Sequence, residues 1–225
     1  MQATGASDGG EDDRLLHRLL FFTDAVFAIV LTLLVLELRP PQVENAGELG
    51  RALAEMINHF IAFLMSFALV SVFWLAHMNT VRRLSRFDWP TAITNLVFLL
   101  PVCLLPFASS LVGEARFGMV AWRFYCWNMI ATSAAMVALT LVVNRGKGHA
   151  VGGLAPRDRV YRALRAAAPG IAFAISLVAA ESQQRTISMY APVLILVQFL
   201  IAEWFVKPRP PKPVDEPAPE ASAEA

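Results

Sequence analysis

The residue whose chemistry most needs explaining is an aspartate inside an apolar run. Asp24 sits in RLLFFTDAVFAIVLTLLVLELRP, residues 18–40, about one and a half turns into a stretch with hardly another polar group. A carboxylate at that depth in lipid is costly unless it is paired, hydrated or neutralised, so it marks a functional candidate. Two readings stay open: an acid that fastens helices together, or one that handles ions directly. A second stretch, FWLAHMNTVRR at residues 73–83, offers partners. Trp74 and His77 are three residues apart, share a helix face, and lie just before the Arg82–Arg83 pair. An indole, an imidazole and a carboxylate at similar depth can satisfy one another where lipid cannot. The same residues equally suit an aromatic belt and an interfacial imidazole, and depth does not choose.

Catalytic and metal chemistry find no pattern. The four histidines, His17, His59, His77 and His149, form no HExxH, and Cys103 and Cys126 lie apart in apolar runs. No GxSxG, Walker loop or dinucleotide fingerprint occurs. Glu181 and Glu203, near the ends of apolar runs, are read as snorkelling or locally paired. No catalytic residue, metal or cofactor is expected.

The elements that carry these residues follow from composition. Of 225 residues, 56% are hydrophobic and 16% charged, far from the roughly 25% charged of a soluble domain. Lys and Arg total 19 against 18 Asp and Glu, so no net basic field recruits nucleic acid. Six runs approach the roughly 20 apolar residues that a membrane span needs. They are Leu19 to Leu38, Ile57 to Met78, Thr91 to Val112, Met119 to Val143, Ala166 to Ala180 (short, with Pro169–Gly170 near its start) and Ile187 to Val206. An all-α, six-span integral membrane protein is the expected fold. Residues 1–17 read as a polar N-terminus without signal-peptide character, 18–206 as the helical domain, and 207–225 as a disordered Pro/Ala/Glu-rich tail.

With the N-terminus placed inside, fourteen of the 19 basic residues fall in inside loops and five outside, which puts both termini in the cytoplasm. Pro101 and Pro106 are expected to kink the third span or free carbonyls that need partners. The small residues of ATSAAMVA, Ala131 to Ala138, suit close helix contact. The basic loop from Arg145 to Arg165 reads as a topology signal able to touch anionic lipid, rather than as a dedicated ligand site.

At 100° per residue, the first span places Phe22, Ala25, Val26, Ile29, Thr32, Leu33 and Leu36 on one face and Asp24, Phe27, Leu31, Leu34 and Leu38 on the other. Periodicity does not say whether the Ile29–Leu33–Leu36 stripe packs against protein or lines a pore.

Arg18-x-x-x-Phe22-Thr23-Asp24 and the AVFAIVLTLLVLEL that follows resemble the first-helix signature of the transmembrane protein 175 family of potassium channels, whose pattern is Arg-x-x-x-Phe-Ser-Asp. Thr23 keeps the hydroxyl and adds a methyl. Phe73, Trp74 and His77 are similar to the family's FWxxH pattern. The specific match covers residues 18–38 and 73–77. Six spans in one chain resemble the bacterial branch, and that resemblance implies a homotetramer in the plasma membrane whose first helices line a central pore. It places the constriction at Ile29, Leu33 and Leu36, with the Thr32 hydroxyl nearby. It gives Arg18, Phe22, Thr23 and Asp24, together with Trp74 and His77, a role in holding helices together.

The sequence holds no GYG and leaves no apolar re-entrant segment between spans, so a TVGYG-type filter is not expected. The expectation is a channel for monovalent cations, potassium above all, gated by a ring of aliphatic side chains. The rival is a proton-coupled secondary transporter with Asp24 and His77 as its relay.

Overall fold

In lipid every backbone group must find its partner within the protein, which favours helices over open strands. The computed structural model of the chain describes residues 5–145 and 156–182, and its described elements are all helical. They are α1 (Gly5–Leu36), α2 (Leu49–Glu55), α3 (Ile57–Val81), α4 (Trp89–Cys103), α5 (Leu105–Gly113), α6 (Gly118–Arg145) and α7 (Pro156–Glu181), with 3-10 turns at Ala46–Glu48 and Ala115–Phe117. Five segments are long and apolar enough to cross a membrane: Gly10–Leu36, Ile57–Val81, Trp89–Gly113, Gly118–Arg145 and Arg159–Glu181. They match the first five spans expected from sequence. The sixth expected span, Ile187 to Val206, and the 207–225 tail lie outside the described residues.

Two differences from the sequence reading, at the starts of the first and fifth spans, stand beside the kink that was expected in the third. Helix α1 begins at Gly5, inside the segment read as a polar terminus. Once a long apolar helix exists, each added residue gains a backbone hydrogen bond without a new nucleation cost. The third span breaks into α4 and α5 at Leu104, between Pro101 and Pro106. Asn128 Nδ2 of α6 donates to the Pro101 carbonyl at 3.1 Å, so part of the kink is satisfied from a neighbouring helix. Before α4, Asp88 Oδ2 accepts from Thr91 N at 3.0 Å, an N-cap followed at once by Trp89–Pro90.

The fifth span does not start at its proline. Helix α7 continues through Pro169, and Ser133 of α6 bonds to the backbone on either side of the proline. The Ser133 hydroxyl donates to the Ala166 carbonyl at 2.7 Å and accepts from Gly170 N at 3.0 Å, linking an acceptor and a donor one turn apart. Close approach requires glycine at that point: a Cβ on Gly170 would lie 2.7 Å from Ser133 Cβ.

Helix α6 sits at the centre, packed on α4, α5 and α7, while α1 lies across α3, α4 and α5. The core between them holds Phe27, Phe73, Phe98, Tyr125, Met129 and Phe173. Of the five spans, α1 buries the smallest share of its apolar window.

Gly170→Ala should therefore cost about 1–3 kcal/mol, the range for overpacking a tight contact. Ser133→Ala should cost about 1–3 kcal/mol by leaving Gly170 N or the Ala166 carbonyl without its partner. Denaturation of the purified protein in detergent, with helicity followed by circular dichroism, measures both. Wild-type stability in the glycine variant would refute the close packing described here.

Candidate functional site

Helix α1 meets the bundle along Thr23, Phe27, Val30 and Leu34, spaced four, three and four residues, all buried. The polar end of that stripe is built from α1, α3 and α4. Thr23 Oγ1 donates to the Leu19 carbonyl at 2.9 Å and accepts from Asn95 Nδ2 at 2.7 Å. The Asn95 carbonyl oxygen in turn lies 2.8 Å from His77 Nε2. With Nδ2 given to Thr23, Oδ1 acts as acceptor, which assigns the imidazole proton to Nε2. Thr23, Asn95 and His77 are 0%, 2% and 2% exposed, so water does not substitute for any of these bonds. The His77 ring stacks on Phe98, centroids 5.7 Å apart and planes 3° from parallel, and tilts against Phe27 at 6.1 Å.

Asp24 flanks this chain rather than joining it. Its Oδ1 accepts from Trp74 Nε1 at 3.0 Å at an exposed position. Trp74 and His77 therefore diverge from the single cluster that sequence suggested: the indole takes the carboxylate, and the imidazole takes an amide. Asn95 is the residue that sequence reasoning missed. An amide within TAITNLVFLL was a usable signal, since a side chain of that kind needs a partner in lipid. Arg18 and Phe22 are exposed, and among the described residues Arg18 makes no hydrogen bond or ion pair.

The opposite face of α1 is open. Ile29, Leu33 and Leu36 are 56%, 41% and 68% exposed, and Thr32 is exposed beside them. The Thr32 hydroxyl donates to the Ile29 carbonyl at 2.8 Å, so its proton is spent within the helix and its lone pairs remain outward. At the opposite end of the spans from Asp24, Glu37, Arg39, Glu55, His59, Glu114 and Arg116 border a cavity of about 610 Å³. Glu114 pairs there with Arg116 at 3.5 Å, and with His59 at 3.9 Å when that ring is protonated. No group of three or more His, Cys, Asp or Glu side chains among the described residues could hold a metal ion. Glu181 is locally paired: Arg123 Nη2 donates to its Oε2 at 3.0 Å, with Nε 2.9 Å from Oε1.

Residues 18–106 match the model of the family described as the endosomal/lysosomal potassium channel TMEM175. A potassium channel of Streptomyces collinus is 30% identical over 132 residues, 57% of this chain and 64% of that one. A potassium channel of Chamaesiphon minutus is 38% identical over 100 residues, 43% of this chain and 49% of its own. The endosomal/lysosomal proton channel TMEM175 of Danio rerio is 26% identical over 125 residues, 55% of this chain but 24% of that longer protein. The matches thus span under two thirds of these relatives. The crystal structure of a Chamaesiphon minutus TMEM175 homologue, described as a lysosomal potassium-selective channel homologue, aligns with a TM-score of 0.70 at 22% identity. The alignment covers 84% of this chain and 98% of that one, which establishes the shared fold.

Asn95→Ala should lower stability by about 1–3 kcal/mol, because it strands His77 Nε2 in a dry interior and takes from Thr23 Oγ1 the donor it accepts from. Trp74→Phe, which removes one exposed bond, should cost only about 0.5–1.5 kcal/mol. Chemical unfolding in mixed micelles ranks them, and the reverse order would overturn the assignment of Asn95 as the central link.

Proposed function

We propose, from the premise that residues 18–106 belong to the TMEM175 family, that this chain forms a potassium-permeable cation channel. Four copies would bring their α1 helices around a common axis in a bacterial plasma membrane. One observation carries this reading. The face of α1 opposite its buried Thr23–Phe27–Leu34 anchor is a continuous aliphatic stripe without cover from the described helices. Such a surface faces lipid or another subunit, and the potassium-channel names of the bacterial relatives favour the second.

The mechanism follows from the side chains. Ile29 and Leu36 are two turns apart, about 10 Å along the axis at 1.5 Å per residue. Rings of these residues with Leu33 between them make an apolar neck that water leaves readily, so small changes in width open or close it by wetting. An ion crossing the neck sheds part of its hydration shell. Potassium sheds water more cheaply than sodium and passes more readily. Thr32 eases the loss, since its hydroxyl oxygen faces outward with its proton already committed to Ile29. This arrangement needs no TVGYG carbonyl ladder. The Thr23–Asn95–His77 chain and the Asp24–Trp74 bond hold α1 in rotational register. They act as positioning groups, not as ion ligands.

Cation flux from purified protein in liposomes tests the proposal. Wild type should pass potassium faster than sodium. Ile29→Asn should raise potassium flux about tenfold, the change that 1.4 kcal/mol off a barrier gives, and narrow the preference over sodium. Leu33→Ala should act in the same direction. Unchanged flux in both would remove this stripe from the conduction path. Unitary current steps in planar bilayers would separate a channel from a proton-coupled transporter working through Asp24 and His77.

A further inference from the structure

We propose that the end of the bundle where α3 stops and α7 starts binds the phosphodiester headgroup of one anionic phospholipid. Two sets of arginines meet there. Arg82, Arg83 and Arg86 follow the last turn of α3, and Arg159, Arg162 and Arg165 climb the first turns of α7 at intervals of three. The two sets are physically joined, because Arg162 Nη1 donates to the Asn79 carbonyl of α3 at 3.3 Å. Helix α6 ends on the same side, packed along α7.

Two carboxylates near the end of α3 are engaged elsewhere. Asp24 is bonded to Trp74, and Asp88 caps α4 through Thr91 N. Among the described residues, Arg82, Arg83 and Arg86 form no ion pair. Two buried donors also stand without hydrogen-bond partners, Arg83 Nε and Asn144 Nδ2 of α6. Both unmet groups donate, and a phosphate offers only acceptors. Basic recesses between spans are where anionic headgroups lodge.

A lipid rather than a free anion fits the surroundings. Leu75 and Met78 on α3 and Val160 and Leu164 on α7 are exposed apolar side chains adjoining the arginines. They are placed to receive acyl chains while the arginines hold the headgroup, with their stems lying along the same apolar surface. Charge alone explains a diffuse preference for anionic bilayers. The unmet donors and the α3–α7 bond argue instead for one defined position.

Native mass spectrometry of the full-length protein, titrated with phosphatidylglycerol or phosphatidylcholine in detergent, tests this. Wild type should retain one tight phosphatidylglycerol per protomer and no comparable phosphatidylcholine. Arg83→Gln should weaken that retention about fivefold, the factor for one basic contact at a membrane surface. Arg51→Gln on α2, at the opposite end of the spans, carries the same charge change and should leave retention unaltered. If it loses as much as Arg83→Gln, the effect is mean charge and the site is refuted. Should Arg83→Gln fail to fold, the Arg82→Gln/Arg86→Gln pair, altering two exposed side chains, must lower retention in its place. Equal binding of both lipids would overturn the proposal. So would competition by millimolar inorganic phosphate, which would identify a free-anion site. None of these readouts depends on conduction, so failure here leaves the channel reading standing.

Discussion

Lipid offers no hydrogen-bond partner, so a polar side chain within a span must be answered by another span. In this chain that requirement fixes the rotation of α1. Its hydroxyl at Thr23 reaches Asn95 on α4, Asn95 reaches His77 on α3, and Asp24 takes the Trp74 indole. With two helices gripping one flank of α1, the Ile29–Leu33–Leu36 flank has nowhere to turn but outward. The polar chain is buried, whereas that flank is exposed. Its consequence is geometric: it decides which surface of the helix remains available.

The same demand shows around two of the prolines within the described spans, Pro101 and Pro169. A proline removes one donor and disturbs the carbonyl a turn earlier, damage that water would repair in a soluble protein. Here α6 brings polar groups to both places. Asn128 donates to the Pro101 carbonyl beside the α4–α5 break, and the Ser133 hydroxyl bonds to the Ala166 carbonyl and Gly170 N around Pro169 in α7. Two further hydroxyl links, Ser66 to Tyr125 at 3.0 Å and Trp122 Nε1 to Ser176 at 3.0 Å, tie α6 to α3 and α7. The centre of the bundle is therefore held by polar contacts as well as apolar ones. The helix richest in such groups is the one its neighbours pack around.

Charge is divided between the two ends of the spans. Beyond the α1 stripe, Glu114 with Arg116, and Arg123 with Glu181, form mixed-sign pairs. At the other end arginines dominate, around a bond from Arg162 to the last turn of α3. Self-neutralised pairs suit an aqueous mouth, and arginines such as Arg82, Arg83 and Arg86, without an ion pair among the described residues, suit a surface of anionic headgroups. That division follows the asymmetry used to place the termini.

Length and hydropathy alone determined the all-helical spans, because a 30 Å hydrocarbon layer admits few alternatives for runs this apolar. Helical period separated the two faces of α1, since 100° per residue is a property of the backbone rather than of its surroundings. The Arg18–Phe22–Thr23–Asp24 pattern carried the family resemblance, which the match over residues 18–106 supports. Which partner each polar group takes was not legible. Asn95 lies 18 residues from His77 and 72 from Thr23, and such pairings depend on how helices dock. The bonding of α7 around Pro169 was equally hidden, because the group that meets it, Ser133, belongs to another helix. A sequence carries the needs of each helix; only packed helices decide who meets them, since hydrogen bonds act over about 3 Å and the chain brings those atoms together from far apart.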